Sequence, residues 1–209
     1  MAEVELKQKN ENQGFKAFDL YPTDNIEIKD AALKPYIYIS GRLLLKSQGR
    51  NKVKFAKVKF DLIERLANRI GVPGHVGKKH KIITNWASGK YNKNMKTVLQ
   101  VLSLIEQRTK KNPIQVFVTA IENGSPKDEI TVIEQGGARY PQAVDSSPMR
   151  RVDLALRWMV QGAYAKSFGK KKKMFETLAN EIVMASEGNM ESFAMSKKNE
   201  AEKQADSAR

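Results

Sequence analysis

The chain has 209 residues, with 37 Lys+Arg against 23 Asp+Glu, a formal net charge of +14, no Cys and two His. That length suits one domain with tails and a core that removes roughly 70–75% of the unfolded surface from water. The lack of Cys excludes disulfides, thiolate metal sites and thiol nucleophiles and fits a reducing compartment.

A polar N-terminal stretch carrying Glu3, Glu5, Glu11 and Asp19 matches neither a secretory signal nor a transit peptide. No run reaches the roughly 18 apolar residues of a membrane helix. The expected location is the cytoplasm, with no membrane partner. So large an excess of cations repels itself unless a polyanion neutralises it, and its placement points to nucleic acid. Arg42 to Lys59 holds seven basic residues and no acid, Val72 to Lys96 six and no acid, and Lys166 to Lys173 five more. These three stretches together exceed the net charge, so the rest of the chain is slightly acidic. Segregation of this kind suits a phosphate-binding surface, whereas a merely solvated face mixes its signs.

In chain order, residues 1–18 are polar and unpatterned and read as a disordered arm. Residues 19–60 carry short apolar pieces such as Tyr36-Ile37-Tyr38-Ile39 and then the basic run. They read as an extended basic segment that depends on RNA. From 61 to 195 a helical domain is predicted. Asp61 with Glu64 forms a capping box, Leu62, Ile63, Leu66 and Ile70 form a helical stripe, and Gly71 stops it. A second stripe, Val98, Val101, Leu102 and Ile105, ends in the basic Arg108 to Lys111 turn, where cations suit the helix dipole. Asn112-Pro113 opens a third helix, lined by Ile114, Phe117, Val118 and Ile121 and stopped by Gly124 and Pro126.

Residues 129–145 change period: two β-prone runs flank Gly136-Gly137, which predicts a two-stranded ribbon lying against some other element. Ser147-Pro148 opens a long helix running to about Lys166. Val152, Ala155, Leu156, Met159 and Ala163 fall on one face of it, and Arg150, Arg157 and Gln161 on the other, flanked by Arg151 and Trp158. Phe175, Leu178, Ala179, Ile182 and Ala185 mark another helix, closed by Gly188. Residues 196–209 form a tail helix with few large apolar groups, expected to order only on a partner. The fold class is mainly α: a helical bundle with a protruding two-stranded β-hairpin arm and an extended basic N-terminal region.

Candidate chemistry is sparse. The glycines from Gly71 to Gly77, followed by Lys78, Lys79 and His80, suggest a phosphate loop, but Val72 stands where the first glycine of a nucleotide-triphosphate loop belongs, and Lys79 replaces its metal-binding hydroxyl. The glycine spacing of KH domains also occurs, without the small sheet that fold requires. What survives is a basic, Gly-rich loop suited to an RNA phosphate. His75 and His80, with no Cys or carboxylate pair nearby, point to phosphate contact or solvent exposure and to no metal. Asp153 and Arg157 read as a local helical ion pair. Trp158 reads equally as a packing residue or a stacking surface. No acid–base couple or cofactor motif is apparent, so no enzyme activity and no cofactor are expected.

The phosphate-facing candidates are Arg42, Arg50, Lys52, Lys54, Lys57 and Lys59 in the first basic run, Lys78, Lys79 and His80 in the loop, and Arg150, Arg151 and Arg157 on the long helix. At the ribbon tip, Gly136, Gly137, Arg139 and Tyr140 offer backbone approach, a cation and a ring.

Several segments are familiar. Asn112-Pro113-Ile114-Gln115-Val116 through Ala120-Ile121-Glu122-Asn123, Gly136-Gly137, Ala143-Val144-Asp145 and Ser147-Pro148-Met149-Arg150-Arg151-Val152-Asp153 through Arg157 closely resemble the universal small-subunit ribosomal protein seven family, most nearly its archaeal and eukaryotic branch. Leu178-Ala179-Asn180-Glu181, Ser196-Lys197-Lys198 and the terminal Ala208-Arg209 continue the likeness. Upstream, Ile63-Glu64-Arg65-Leu66 and Gly77-Lys78-Lys79-His80 fit as well, and Ile82 to Asn94 looks like extra sequence before the next helix. The resemblance implies a structural protein of the small ribosomal subunit that binds the 3′ domain of its ribosomal RNA and nucleates assembly of the head. It also implies a hairpin near the exit-site transfer RNA and the messenger RNA path, with neighbouring ribosomal proteins as partners. By the same resemblance Arg150, Arg151, Lys78 and Lys79 contact ribosomal RNA, and Gly136, Gly137 and Arg139 lie at the hairpin tip. The alternative from the residues alone is a helical DNA-binding regulator, since basic helices also enter a major groove.

Overall fold

The computed structural model describes residues 16–23, 25–40, 52–74 and 87–209. Among them are a short hairpin, β1 (Lys16–Ala17) and β2 (Tyr21–Pro22), then helix α1 (Leu62–Gly71). Helices α2 (Tyr91–Thr109) and α3 (Pro113–Gly124) follow, then the arm strands β3 (Asp128–Gln135) and β4 (Ala138–Asp145). Helices α4 (Pro148–Ser167), α5 (Met174–Ser186) and α6 (Phe193–Ser207) complete the chain. The mainly helical class with one hairpin arm is borne out.

Local chemistry sets the helix starts. Asp61 Oδ1 accepts from the Ile63 amide at 2.9 Å and caps α1, while its Oδ2 takes the Ser40 amide at 2.9 Å. Asn112 Oδ1 accepts from the Ile114 amide at 3.0 Å to cap α3, and Pro113 occupies the first turn, where its missing N–H costs nothing. Helix α2 begins at Tyr91, inside the stretch that reads as extra sequence. The cause is Asn94, buried in the first turn, whose amide side chain donates to the Ala87 carbonyl at 3.3 Å and ties the preceding turn down.

Helix α5 lies at the centre and packs on α2, α3 and α4, α1 packs on α2 and α4, and α6 crosses α4 and reaches the base of the arm. The apolar stripes meet here: Leu66, Leu102, Phe117, Leu156 and Leu178 are buried together. Each such side chain contributes about 1.5–3 kcal/mol of transfer free energy. Asn123 on α3 donates to the Ala185 and Ser186 carbonyls at 3.1 and 3.0 Å, satisfying acceptors that the end of α5 would otherwise leave open.

Three expectations change. Residues 16–18, expected in the disordered arm, and residues 19–23 and 25–40, expected in the RNA-dependent extension, are part of the body: Ala17, Tyr21, Leu33 and Ile37 are buried in the core. Gln115 on α3 exchanges two hydrogen bonds with the backbone of Glu27, at 2.9 and 3.0 Å, and Glu122 accepts the Lys29 and Asp30 amides. The C-terminal helix is also docked. It starts at Phe193 and buries Ala194 and Ala205, because small side chains let it approach α4 and β3 closely where large ones would hold it off. Finally, Asp153 takes Arg65 at 3.1 Å and Lys57 at 3.8 Å as its ion-pair partners, not its helical neighbour Arg157.

The arm forms in register, Asp128 opposite Asp145 through Gln135 opposite Ala138. Gly136 and Gly137 have φ of 61° and 82°, the left-handed pair that a two-residue turn needs. Eight residues per strand make the arm about 26 Å long. Most of it is exposed; only its base is held, by α6 and by Arg150.

Candidate nucleic-acid interface

Arg65 and Arg69, four residues apart, share one face of α1, and Asp153 and Arg157, also four apart, share one face of α4. With Lys57 and Phe60 from the turn before α1, these faces line a cleft of about 260 Å³ holding four cations and one carboxylate. Apolar packing supports both walls: Leu66 is buried beside Arg65 on α1, and Leu156, buried on α4, forms part of the cleft's lining. Arg65, with a side chain 5% exposed, donates to the Tyr36 carbonyl at 3.0 Å and to Asp153 at 3.1 Å. Burial lowers the pKa of Arg69, the nearby charge of Arg157 lowers it further, and Asp153 pulls it back up.

The candidate residues divide. Arg42, Arg50, Lys78, Lys79 and His80 lie outside the described residues. Lys52, Lys54, Lys57 and Lys59 are exposed, and Lys57 reaches the cleft. Arg157 is exposed at its rim.

Arg150 is exposed but engaged: its Nε and Nη2 grip the Glu129 carboxylate at 2.6–2.9 Å, anchoring β3 to α4. Burial raises the pKa of Glu129, and the hydrogen bonds of Arg150 and Ser146 lower it by more, leaving it below its ordinary value. Arg151 requires a correction. Its side chain is 8% exposed, and its nitrogens serve Asp30 at 2.7 Å, the Pro126 carbonyl at 3.1 Å and Ser125 at 3.3 Å. It ties the N-terminal segment to the start of α4 from inside the body and does not face outward with Arg150. Trp158 is partly buried against the core.

Three participants escaped sequence reasoning. Arg65 and Arg69 sit at helical spacing beside the apolar stripe of α1, a signal available in the sequence, but what gives them meaning is α4 across the cleft. Phe55, 72% exposed at φ 62° between Lys54 and Lys57, offers an open ring amid cations. An aromatic in basic surroundings is a stacking platform for an unpaired base.

At the arm's far end Gly136 and Gly137 form the tip, Tyr140 is exposed, and Arg139 lies 3.6 Å from Glu134 on the facing strand. Val132 pairs with Pro141 and Ile133 with Tyr140, so both faces of the arm carry exposed apolar pairs. Among the described residues no cluster of His, Asp or Glu could hold a metal, and no helix is long and apolar enough to cross a membrane.

A helical body with a cation-lined cleft between two helices, and a long ribbon carried at one end, defines a class of basic scaffold proteins with a projecting arm. The chain belongs to the ribosomal protein S7p/S5e family, whose model matches residues 42–209. It is 46% identical over 195 residues to small ribosomal subunit protein uS7 of Nanoarchaeum equitans, covering 93% of this chain and 98% of the relative. It is 42% identical over 192 residues to the uS7 protein of Methanothermobacter thermautotrophicus, covering 91% and 97%, and 39% identical over 195 residues to that of Methanosphaera stadtmanae, covering 93% and 98%. Proteins of this family are structural components of ribosomes, and the chain is not an enzyme.

Proposed function

We propose that the chain is a structural constituent of the small subunit of the cytoplasmic ribosome, where it binds the 3′ domain of the small-subunit ribosomal RNA and nucleates assembly of the head. Its arm stands beside the exit-site transfer RNA and the messenger RNA path, and neighbouring small-subunit proteins dock around it. The observation that carries this reading is membership of a ribosomal family over residues 42–209, joined to the exposed cations of the 52–59 segment, of which Lys57 meets Arg157 at one cleft. The phosphate-facing set is Arg42, Arg50, Lys52, Lys54, Lys57, Lys59, Lys78, Lys79, His80, Arg150 and Arg157, with Arg151 supporting it from beneath. The arm's contribution is Gly136, Gly137, Arg139 and Tyr140.

The test is titration of a 3′-domain RNA fragment across salt, with duplex DNA as competitor. Neutralising six to ten phosphates makes affinity fall roughly 1,000- to 100,000-fold between 50 and 200 mM salt. A flat salt response, or equal competition by duplex DNA, overturns the reading. Sedimentation with small subunits through a high-salt sucrose gradient tests assembly directly, and a photocrosslinker at Tyr140 should label transfer or messenger RNA in programmed ribosomes.

A further inference from the structure

We propose that α6 is a brace that aims the arm, and that Glu202 on it and Arg209 just past its end are the positioning residues that fix the arm's angle to the body. This deepens the arm's part in the proposed function and rests on that reading for what the tip meets.

Little else sets the arm's direction. From Ile130 to Gln142 every residue is exposed, so no packing along its length steadies it. It joins the body through two single stretches of chain, Pro126-Lys127 and Ser146-Ser147, with the Ser146 amide donating to the Lys127 carbonyl at 2.8 Å as the last rung. A ribbon rooted on two strands can tilt about the line joining its roots, toward either of its faces. At a length of about 26 Å, a tilt of about 10° carries the tip roughly 4–5 Å, further than any hydrogen bond at the tip could follow.

The two faces of the root are gripped by different helices. Neighbouring residues on a strand point to opposite faces, and Asp128 and Glu129 are neighbours on β3. Glu129 is taken from α4 by Arg150, at 2.6–2.9 Å. Asp128 Oδ2 accepts from Arg209 Nη2 at 2.5 Å, and one residue earlier the Lys127 amide donates to Glu202 Oε1 at 3.1 Å. Each grip opposes the tilt that the other alone would allow.

Helix α6 can carry that load because its far end is fixed in the body. The Ser192 hydroxyl and the Ala194 amide both donate to buried Glu181, at 2.7 and 3.1 Å, and Phe193 stands against Gly162. Fifteen residues at 1.5 Å each make a rod of about 22 Å from that anchor toward the arm, along which α6 packs on β3 and β4. Body, rod and arm close a triangle, which is rigid where a two-strand hinge is not. The grip at the arm governs direction more than stability: the Arg209 side chain is 60% exposed, and exposed ion pairs add little to folding.

The experiment uses the full chain. Because it has no Cys, spin labels at Gln135→Cys near the tip and Gln107→Cys on α2, both exposed, report one distance by double electron–electron resonance. The parent chain should give a single narrow distribution. Arg209→Ala with Glu202→Ala should broaden it by several ångströms while Tm stays within about 3 °C. Glu202→Gln keeps the acceptor and should keep the width. Arg209→Asp should broaden the distribution, and adding Asp128→Arg, which restores the pair with its charges exchanged, should narrow it again.

An unchanged width in the double alanine variant overturns the brace, because Arg150 and the ribbon's own twist would then suffice. A larger fall in Tm, with hydrogen-exchange protection lost through Phe193–Ser207, also overturns it, since the two residues would then be ordinary stabilising contacts. In programmed ribosomes, a photocrosslinker at Tyr140 in the double alanine variant should spread its labels over more nucleotides with incorporation into small subunits unchanged. Labels that stay where they were overturn the brace's part in the particle. No labelling of transfer or messenger RNA by the parent chain defeats the reading of what the tip meets instead, and the distance measurement still decides the brace.

Discussion

Arg151 and Arg157 lie six residues apart on α4, about 120° from each other around the helix axis, and that rotation separates structure from binding. Arg151 points inward to Asp30, Ser125 and the Pro126 carbonyl, whereas Arg157 stands exposed at the cleft. Removing one partner of a buried ion pair strands the other, so Arg151→Met should cost on the order of 3 kcal/mol, a fall in Tm of about 6–12 °C. Arg157→Met should leave stability within about 0.5 kcal/mol and weaken RNA binding. Differential scanning calorimetry beside RNA titration distinguishes the two. The pH dependence has a definite sign. Burial raises the pKa of Asp30, and its hydrogen bonds and the Arg151 charge lower it by more, so its folded value is depressed. Its contribution is therefore present above the unfolded value of about 3.9 and is lost as pH falls through the folded one. The stability gap between wild type and Arg151→Met should be full near neutrality and narrow below about pH 4; a gap that stays constant in acid would show that Arg151 acts through packing alone.

At the scale of elements, the C-terminal helix shows how a weakly apolar segment is held. Glu181, fully buried on α5, accepts from Ser192 Oγ at 2.7 Å and the Ala194 amide at 3.1 Å through one oxygen, and from Lys166 at 2.9 Å through the other. Gly162 on α4 is the close-approach point, where an added Cβ would lie 2.5 Å from the Cβ of Phe193 and 3.3 Å from the Glu181 carboxyl carbon. Helix propensity alone predicts that Gly162→Ala stabilises by about 1 kcal/mol. The contact predicts the opposite, a loss of about 1–3 kcal/mol by overpacking. Hydrogen exchange should show protection failing first in Phe193–Ser207, and a raised Tm would mean that Phe193 yields freely.

The same geometry explains what was legible in the sequence. Signals carried by adjacent residues could be read directly: Asp61 and Asn112-Pro113 at helix starts, and Gly136-Gly137 between alternating runs. The docking of residues 16–23 and 25–40 could not, because its anchors Gln115 and Glu122 lie 88 and 92 residues from their partners. The tail helix misled for a related reason: two alanines bury as completely as leucines once a glycine on the facing helix lets the backbones close. The spacing of Arg65 and Arg69 was visible, but their cleft exists only when α4 is brought opposite.

For the whole molecule, four acids serve ion pairs between elements. Asp30, Glu129, Asp153 and Glu181 each hold a named cation, while the net +14 remains for the surface. These two populations answer salt differently. Pairs shielded from water are screened little, whereas exposed like charges feel a Debye length that shrinks from about 10 Å at 0.1 M to about 3 Å at 1 M. Raising sodium chloride across that range should therefore raise the Tm of the isolated chain by relieving self-repulsion, while it weakens binding to the RNA fragment. Chloride is the right anion because sulfate and phosphate strengthen burial on their own account. Opposite signs in the two measurements are what a scaffold built to be neutralised by a polyanion requires. If Tm instead fell with chloride, the exposed ion pairs would outweigh the repulsion, and the surplus of cations would not be what the partner relieves.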